Sequence, residues 1–195
     1  MNDFKRALKR GIKILLAYRS KELLLFHHND SDGIASGAVL LESFRRSGYR
    51  VCRFCLEKPY PGLLAKIFGA HSGKIIIFAD FAGGISPLIA SLNRGKNLVI
   101  ILDHHNAAPS PHESVINLSP GLYGAKGGRD ISASVVCYWF VRELDRKNRD
   151  LAHIAAFGGI ADFYYLDGDV YSFNRICVEE AAGKGLMRRE NINGA

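Results

Sequence analysis

Three apolar runs, each stopping against a carboxylate or an imidazole, restrict this chain more than any other feature. Leu23-Leu-Leu-Phe26 leads into His27-His28-Asn29-Asp30-Ser31-Asp32-Gly33, Ile75-Ile-Ile-Phe-Ala79 into Asp80, and Leu98-Val-Ile-Ile-Leu102 into Asp103-His104-His105. Short continuous runs of this kind, apolar on both faces, are what strands of a parallel sheet require when helices cover both sides. In such a sheet the ligand crevice lies outside the carboxyl ends of the strands. All three runs therefore deliver oxygen and nitrogen donors to one edge, and that donor mixture describes a divalent metal site.

The rest of the chain supports the same architecture. Strands are predicted near 23–27, 49–56, 74–79, 97–102 and 114–118, and helices near 33–47, 60–69, 85–94, 131–146 and 150–158, with another around 172–183. Gly48, Gly73 and Gly95 follow helical stretches at or near C-cap positions. Phe4, Leu8, Ile12, Leu15 and Leu16 recur at helical spacing with Lys5, Arg6, Lys9, Arg10 and Lys13 between them, which predicts an opening amphipathic helix packed on the domain with its basic side in water. Strand–helix alternation implies an α/β fold, a mainly parallel sheet of about five strands covered by helices on both faces.

Composition narrows the function classes. No stretch reaches the roughly 18 apolar residues that span a bilayer, and the basic N-terminus lacks the apolar core of a secretory signal, so the expectation is a cytoplasmic protein without a membrane partner. The net charge of +7 tilts towards acidic partners, nucleic acid first. Four cysteines make no framework. Cys52 and Cys55 lie at an odd separation in a predicted strand and point to opposite faces; with Cys137 and Cys177 they are read as buried free thiols.

The first cluster alone leaves several readings open. Asp30-x-Asp32-Gly33 overlaps the start of a calcium loop, but Val39 stands where the bidentate glutamate belongs. It also resembles the Asp-x-Asp-Gly of haloacid-dehalogenase-type phosphatases, a reading that leaves Asp103-His-His105 unexplained. The plainest alternative is a polar turn in which Ser31 or Asp32 caps the next helix.

Together the clusters resemble the DHH phosphoesterase superfamily. His28-Asn-Asp-Ser-Asp-Gly-Ile-Ala-Ser36 is similar to its first motif, Asp80 to the second, Asp103-His-His105 to the third and Gly159-Ile-Ala-Asp162 to the fourth, with Ile131-Ser-Ala-Ser-Val135 similar to the helix start that precedes the fourth. A metal-type residue two positions before Asp30 points to the RecJ-like exonuclease branch and its archaeal relatives.

The resemblance implies two metal ions, with Asp80 bridging, His28 and Asp30 at one site, and Asp32, His104 and Asp162 at the other; that mixed carboxylate and imidazole donor set suits Mn²⁺ better than Mg²⁺. It implies that Asp103 orients an imidazole and that His105 contacts the scissile phosphate; Arg129, in the Gly-rich loop just before a predicted helix start, is a candidate phosphate contact because guanidinium plus backbone amides form an anion site. The implied substrate is single-stranded DNA or RNA, or a short oligonucleotide. Since the superfamily also supplies a non-catalytic subunit of the eukaryotic replicative helicase, the alternative is a binding module with a replication or repair protein as partner. On this reading 1–20 is an N-terminal helix, 21–170 the DHH catalytic domain, and 171–195 a helix and the start of a linker to a missing C-terminal domain. Arg45, Arg46, Arg50 and Arg53 form either a strand-positioning patch or a solvated face, and His27, His71, His112 and His153 are read as structural.

Overall fold

A computed structural model describes residues 2–127, 130–162 and 170–188. Five strands, β1 (Glu22–His28), β2 (Arg50–Leu56), β3 (Ile75–Ala79), β4 (Leu98–Leu102) and β5 (Val115–Asn117), form one sheet in the order β2-β1-β3-β4-β5, and every neighbouring pair is parallel. All five residues of β3 and of β4 are buried, as the unbroken apolar runs require.

Alternate residues of the strands feed two cores. Leu23, Leu25, Ile75, Ile77, Ile100 and Leu102 meet a thick helical layer, while Leu24, Phe26, Ile76, Phe78, Val99 and Ile101 meet a thin one. The thick layer is built from α1 (Asn2–Ala17), α2 (Ser31–Arg46), α5 (Ala133–Leu144), α6 (Ala152–Ala161) and α7 (Ser172–Gly183); α3 (Pro61–Ala70) and α4 (Ser86–Asn93) make the thin one. Helix α1 inserts Phe4, Leu8, Ile12 and Leu15 into the core and keeps Lys9 and Arg10 in water, and Lys5 sits over the Trp139 ring at 4.8 Å. No helix among the described residues is long and apolar enough to cross a membrane.

Two local expectations are corrected. Cys52 and Cys55 are exposed, not buried; only Cys137 and Cys177 are interior. Register places Cys52 beside Leu24 and Cys55 beside His27, so they do face opposite sides, but β2 is an edge strand and most of its residues are open to solvent. The cap of α2 is Asp30, whose side chain accepts from the Gly33 amide at 2.8 Å, and neither Ser31 nor Asp32 caps that helix. Of the four arginines near β2, Arg46 is held by Glu42 and Asp150, and Arg50 by Glu22.

Candidate metal centre

The chain enters the sheet at β1, places β2 on one side of it and crosses to β3 on the other, so the β1–β3 boundary is a topological switch point, where α/β sheets open a crevice. The polar residues after β1, β3 and β4 gather there. The turn from β1 into α2 is tight: a β-carbon on Gly33 would lie 2.5 Å from the His28 carbonyl oxygen. In the first turn of α2, the buried Asp32 reaches across to α5 and accepts from the Ala133 amide at 2.7 Å and the Ser134 amide at 3.0 Å. A carboxylate at a helix N-terminus satisfies orphan N–H groups and complements the helix dipole.

Asp80 follows β3 directly in the left-handed region, φ 67°, and Ala82 follows at 83°. Two non-glycine residues so placed cost roughly 1–3 kcal/mol each and persist only where surrounding bonds hold them. Asp103, 1% exposed, is such an anchor. Its Oδ2 accepts from the Gly83 amide at 2.7 Å; its Oδ1 takes the His104 amide at 2.8 Å and the His105 ring Nδ1 at 2.8 Å. The loop after Gly124 crosses the Asp103–His105 segment so closely that a β-carbon on Gly127 would lie 1.6 Å from the His104 carbonyl oxygen, and glycine alone fits. Asp162 is the C-cap of α6.

Three overlapping trios result: His28, Asp30 and Asp80; Asp32, His104 and Asp162; and Asp80, His104 and His105. Within each, one donor atom per residue lies within 4.8 Å of the others. His28 Nδ1 is 2.8 Å from Asp30 Oδ2 and 3.5 Å from Asp80 Oδ2, while His104 Nε2 is 3.3 Å from Asp80 Oδ1 and 3.8 Å from Asp162 Oδ2. Both carboxylate oxygens of Asp80 are buried without a hydrogen-bond partner, the His28 and His104 rings standing off at 3.5 and 3.3 Å. Buried polar atoms left this way are expensive unless something else satisfies them. Crowded carboxylates with unsatisfied lone pairs beside imidazole nitrogens suit a divalent cation, and the donor set passes that test.

Electrostatics point the same way. Burial, then the charges of Asp32, Asp30 and Asp103, push the Asp80 carboxyl up to about 10. Burial followed by the nearby Asp32 charge raises Asp162 too. At Asp103 burial is outweighed by the His105 ring and the Gly83 amide, so its carboxyl is held below the usual range. The hydrogen bond to Asp103 raises His105 to about 9, whereas burial lowers His104.

Every metal-ligand or catalytic candidate named from the sequence except one is therefore found at this edge. Arg129 lies outside the described residues. Sequence reading passed over Asn117, buried under the loops at the end of β5, although its place at a strand end was a usable signal. His27, His71, His112 and His153 stay outside the trios, and the His27 ring Nδ1 bonds the His28 carbonyl at 2.7 Å.

The family model described as the DHH family, N-terminal domain, matches residues 22–158. Over 159 residues the chain is 31% identical to the uncharacterized protein MJ0831 of Methanocaldococcus jannaschii, a match covering 79% of this chain and 35% of that protein. In fold it is similar to exonuclease RecJ bound to manganese (TM-score 0.72, 20% identity, covering 91% of this chain and 47% of that one). It is also similar to CDC45 from Entamoeba histolytica (TM-score 0.67, 15% identity, covering 95% of this chain and 39% of that one). The chain thus spans less than half the length of each.

Proposed function

This chain belongs to the DHH family, and on that premise we propose that it is a metal-dependent phosphodiesterase acting on single-stranded nucleic acid ends or short oligonucleotides. The observation that carries the proposal is Asp80, buried, unpaired at both oxygens and flanked on either side by imidazole and carboxylate donors. His28 and Asp30 would hold one ion and Asp32, His104 and Asp162 the second, with Asp80 shared between them. When bound, two divalent ions supply an activated water and neutralise phosphoryl charge. Mixed imidazole and carboxylate ligation favours Mn²⁺ over Mg²⁺, which prefers oxygen and water. The likeness in fold to RecJ structures holding Mn²⁺ and Mg²⁺ supports a divalent ion of either kind.

The chain's own residues do the rest. Asp103 accepts the Nδ1 proton of His105, so Nε2 faces the substrate side, where His105 is 58% exposed. The Asp103 hydrogen bond raises His105, and the ring donates from its outward Nε2 to a phosphoryl oxygen. Asp103 positions and does not touch substrate. Arg129, which precedes α5 in the sequence, is proposed as a further phosphate contact. The basic charge draws the phosphate backbone in, so binding weakens steeply with salt.

The fold likeness to CDC45 supports a second reading, a non-catalytic module that binds nucleic acid or a replication or repair partner. One experiment separates the two. Chelated protein is reloaded with Mn²⁺ or Mg²⁺ and incubated with labelled single strands, short oligonucleotides and cyclic dinucleotides. Metal-dependent product from strands or oligonucleotides supports the enzyme. Retained Mn²⁺ and salt-dependent binding without any product would leave the module.

A further inference from the structure

Asn117 is the last residue of β5, 5% exposed, and no part of the chemistry above uses it. Its amide makes four hydrogen bonds. Nδ2 donates to the Gly83 and Ala108 carbonyls, both at 2.9 Å, and Oδ1 accepts from the Ser119 amide at 3.1 Å and the Ser119 hydroxyl at 2.6 Å. With two carbonyls facing one end and two donors facing the other, only one orientation of the amide satisfies the set. Gly83 follows β3, Ala108 follows β4 and Ser119 follows β5, so a single side chain ties three strand-end loops together.

The tie leads straight to the reacting face. Gly83 also takes the Ala108 amide on its carbonyl at 3.0 Å and gives its own amide to Asp103 Oδ2 at 2.7 Å. Asp103 in turn holds the His105 ring at 2.8 Å. There is no slack, for a β-carbon on Gly83 would lie 2.7 Å from the Ser119 hydroxyl and 2.8 Å from Asp103 Oδ2. The same loop carries the left-handed Asp80 and Ala82, conformations that need ties from outside.

We infer that Asn117 is a positioning residue which, acting through Gly83 and Asp103, sets the His105 ring against the substrate phosphate without touching metal or substrate. The inference rests on the phosphodiesterase reading for its kinetic consequence. Asn117→Asp is the sharp probe: it keeps the size and the acceptor but loses both Nδ2 donors, turning a carboxylate oxygen on two carbonyls. Turnover should fall about 10–100-fold, the usual effect of losing an outer partner, with KM and Mn²⁺ affinity unchanged. In a His105→Ala background the same substitution should cost nothing further, because the two act in series. Ser119→Ala, which removes one bond only, provides the milder second variant should Asn117→Asp fold poorly; its smaller loss must vanish in the same background.

Additive losses in either double mutant, or a parallel loss of Mn²⁺ affinity, would overturn the inference. A readout without turnover keeps it separate from the enzymatic reading: hydrogen exchange of the Gly83 amide, which should accelerate at least about tenfold in Ser119→Ala or Asn117→Asp if the tie exists. Wild-type protein inert on every substrate would remove the phosphodiesterase and leave this test standing. Unchanged Gly83 exchange in both variants would remove the positioning role whatever the activity.

Discussion

Two buried carboxylates in this molecule are treated in opposite ways. Glu180, on α7 with its side chain 10% exposed, is answered by the chain itself: the Tyr138 hydroxyl donates to it at 2.6 Å, Arg149 bonds its other oxygen, and Arg142 stands 3.5 Å away. Asp80 is buried more completely and is faced by Asp30, Asp32 and Asp103, with only the His28 and His104 rings beside it at 3.5 and 3.3 Å. A carboxylate that holds a fold together is neutralised by its own chain, because an unpaired buried charge is costly. One left among like charges marks a place where the positive charge comes from outside.

The comparison breaks most easily at Asp80. If it serves both ions, Asp80→Asn should lose bound Mn²⁺ at both sites and drop turnover to background, with circular dichroism unchanged. Retention of two ions by calorimetry would dismiss the bridging role. Next in size is His105→Ala, expected to lower turnover by about 10²–10³, as for the loss of one transition-state donor, while Mn²⁺ affinity stays. His104→Ala should instead lose Mn²⁺, and equal metal loss in both would erase the division between them.

At the other carboxylate the expected effects are structural. Glu180→Ala strands two arginines and should cost about 3 kcal/mol of stability, read by urea unfolding, with Mn²⁺ affinity untouched; a metal defect there would contradict the separation of the two centres. Smaller still is a pH effect on chelated protein. The folded state keeps a proton on Asp80 up to about pH 10, while the unfolded chain releases it near 3.8. Between those values the unfolded state binds fewer protons, so metal-free stability should decline as pH rises. Asp80→Asn removes that decline and should gain about 1–2 kcal/mol at pH 8. Urea midpoints of wild type and Asp80→Asn at pH 5 and 8 in chelator test it, and a difference between the two that does not grow in favour of the mutant with pH would be inconsistent. Least of all should be Arg46→Ala. That exposed residue spans Glu42 and Asp150 on the surface and its loss should cost about 0.5 kcal/mol, a control for what an ion pair is worth in water.

Much of the frame could be read from the residues because local and tertiary demands agree. Strands expected at 74–79 and 97–102 are found at Ile75–Ala79 and Leu98–Leu102, where burial on both faces leaves no competing pattern. The helix expected at 131–146 is shorter, Ala133–Leu144, because Ser132 caps it by accepting from the Val135 amide and an irregular helical turn takes over at Arg146. Helix α6 starts at Ala152 rather than 150 for the same reason. Cys52 and Cys55 escaped because apolar composition says nothing about which strand falls at an edge.

Chain order alone determined which strands end in donors and that those donors share one edge, since side-chain alternation and the handedness of parallel crossovers leave few other arrangements. Tertiary structure decided how each donor is used. Asp32 meets the amides of Ala133 and Ser134, a hundred positions away in sequence; Asp103 is shared between Gly83 and His105; Asn117 binds three loops; and Asp80 is left with none. Those outcomes depend on distances between loops that touch only after the sheet has formed, and on the loss of water that makes an unanswered carboxylate hold its proton. A residue's neighbours in sequence carry neither quantity.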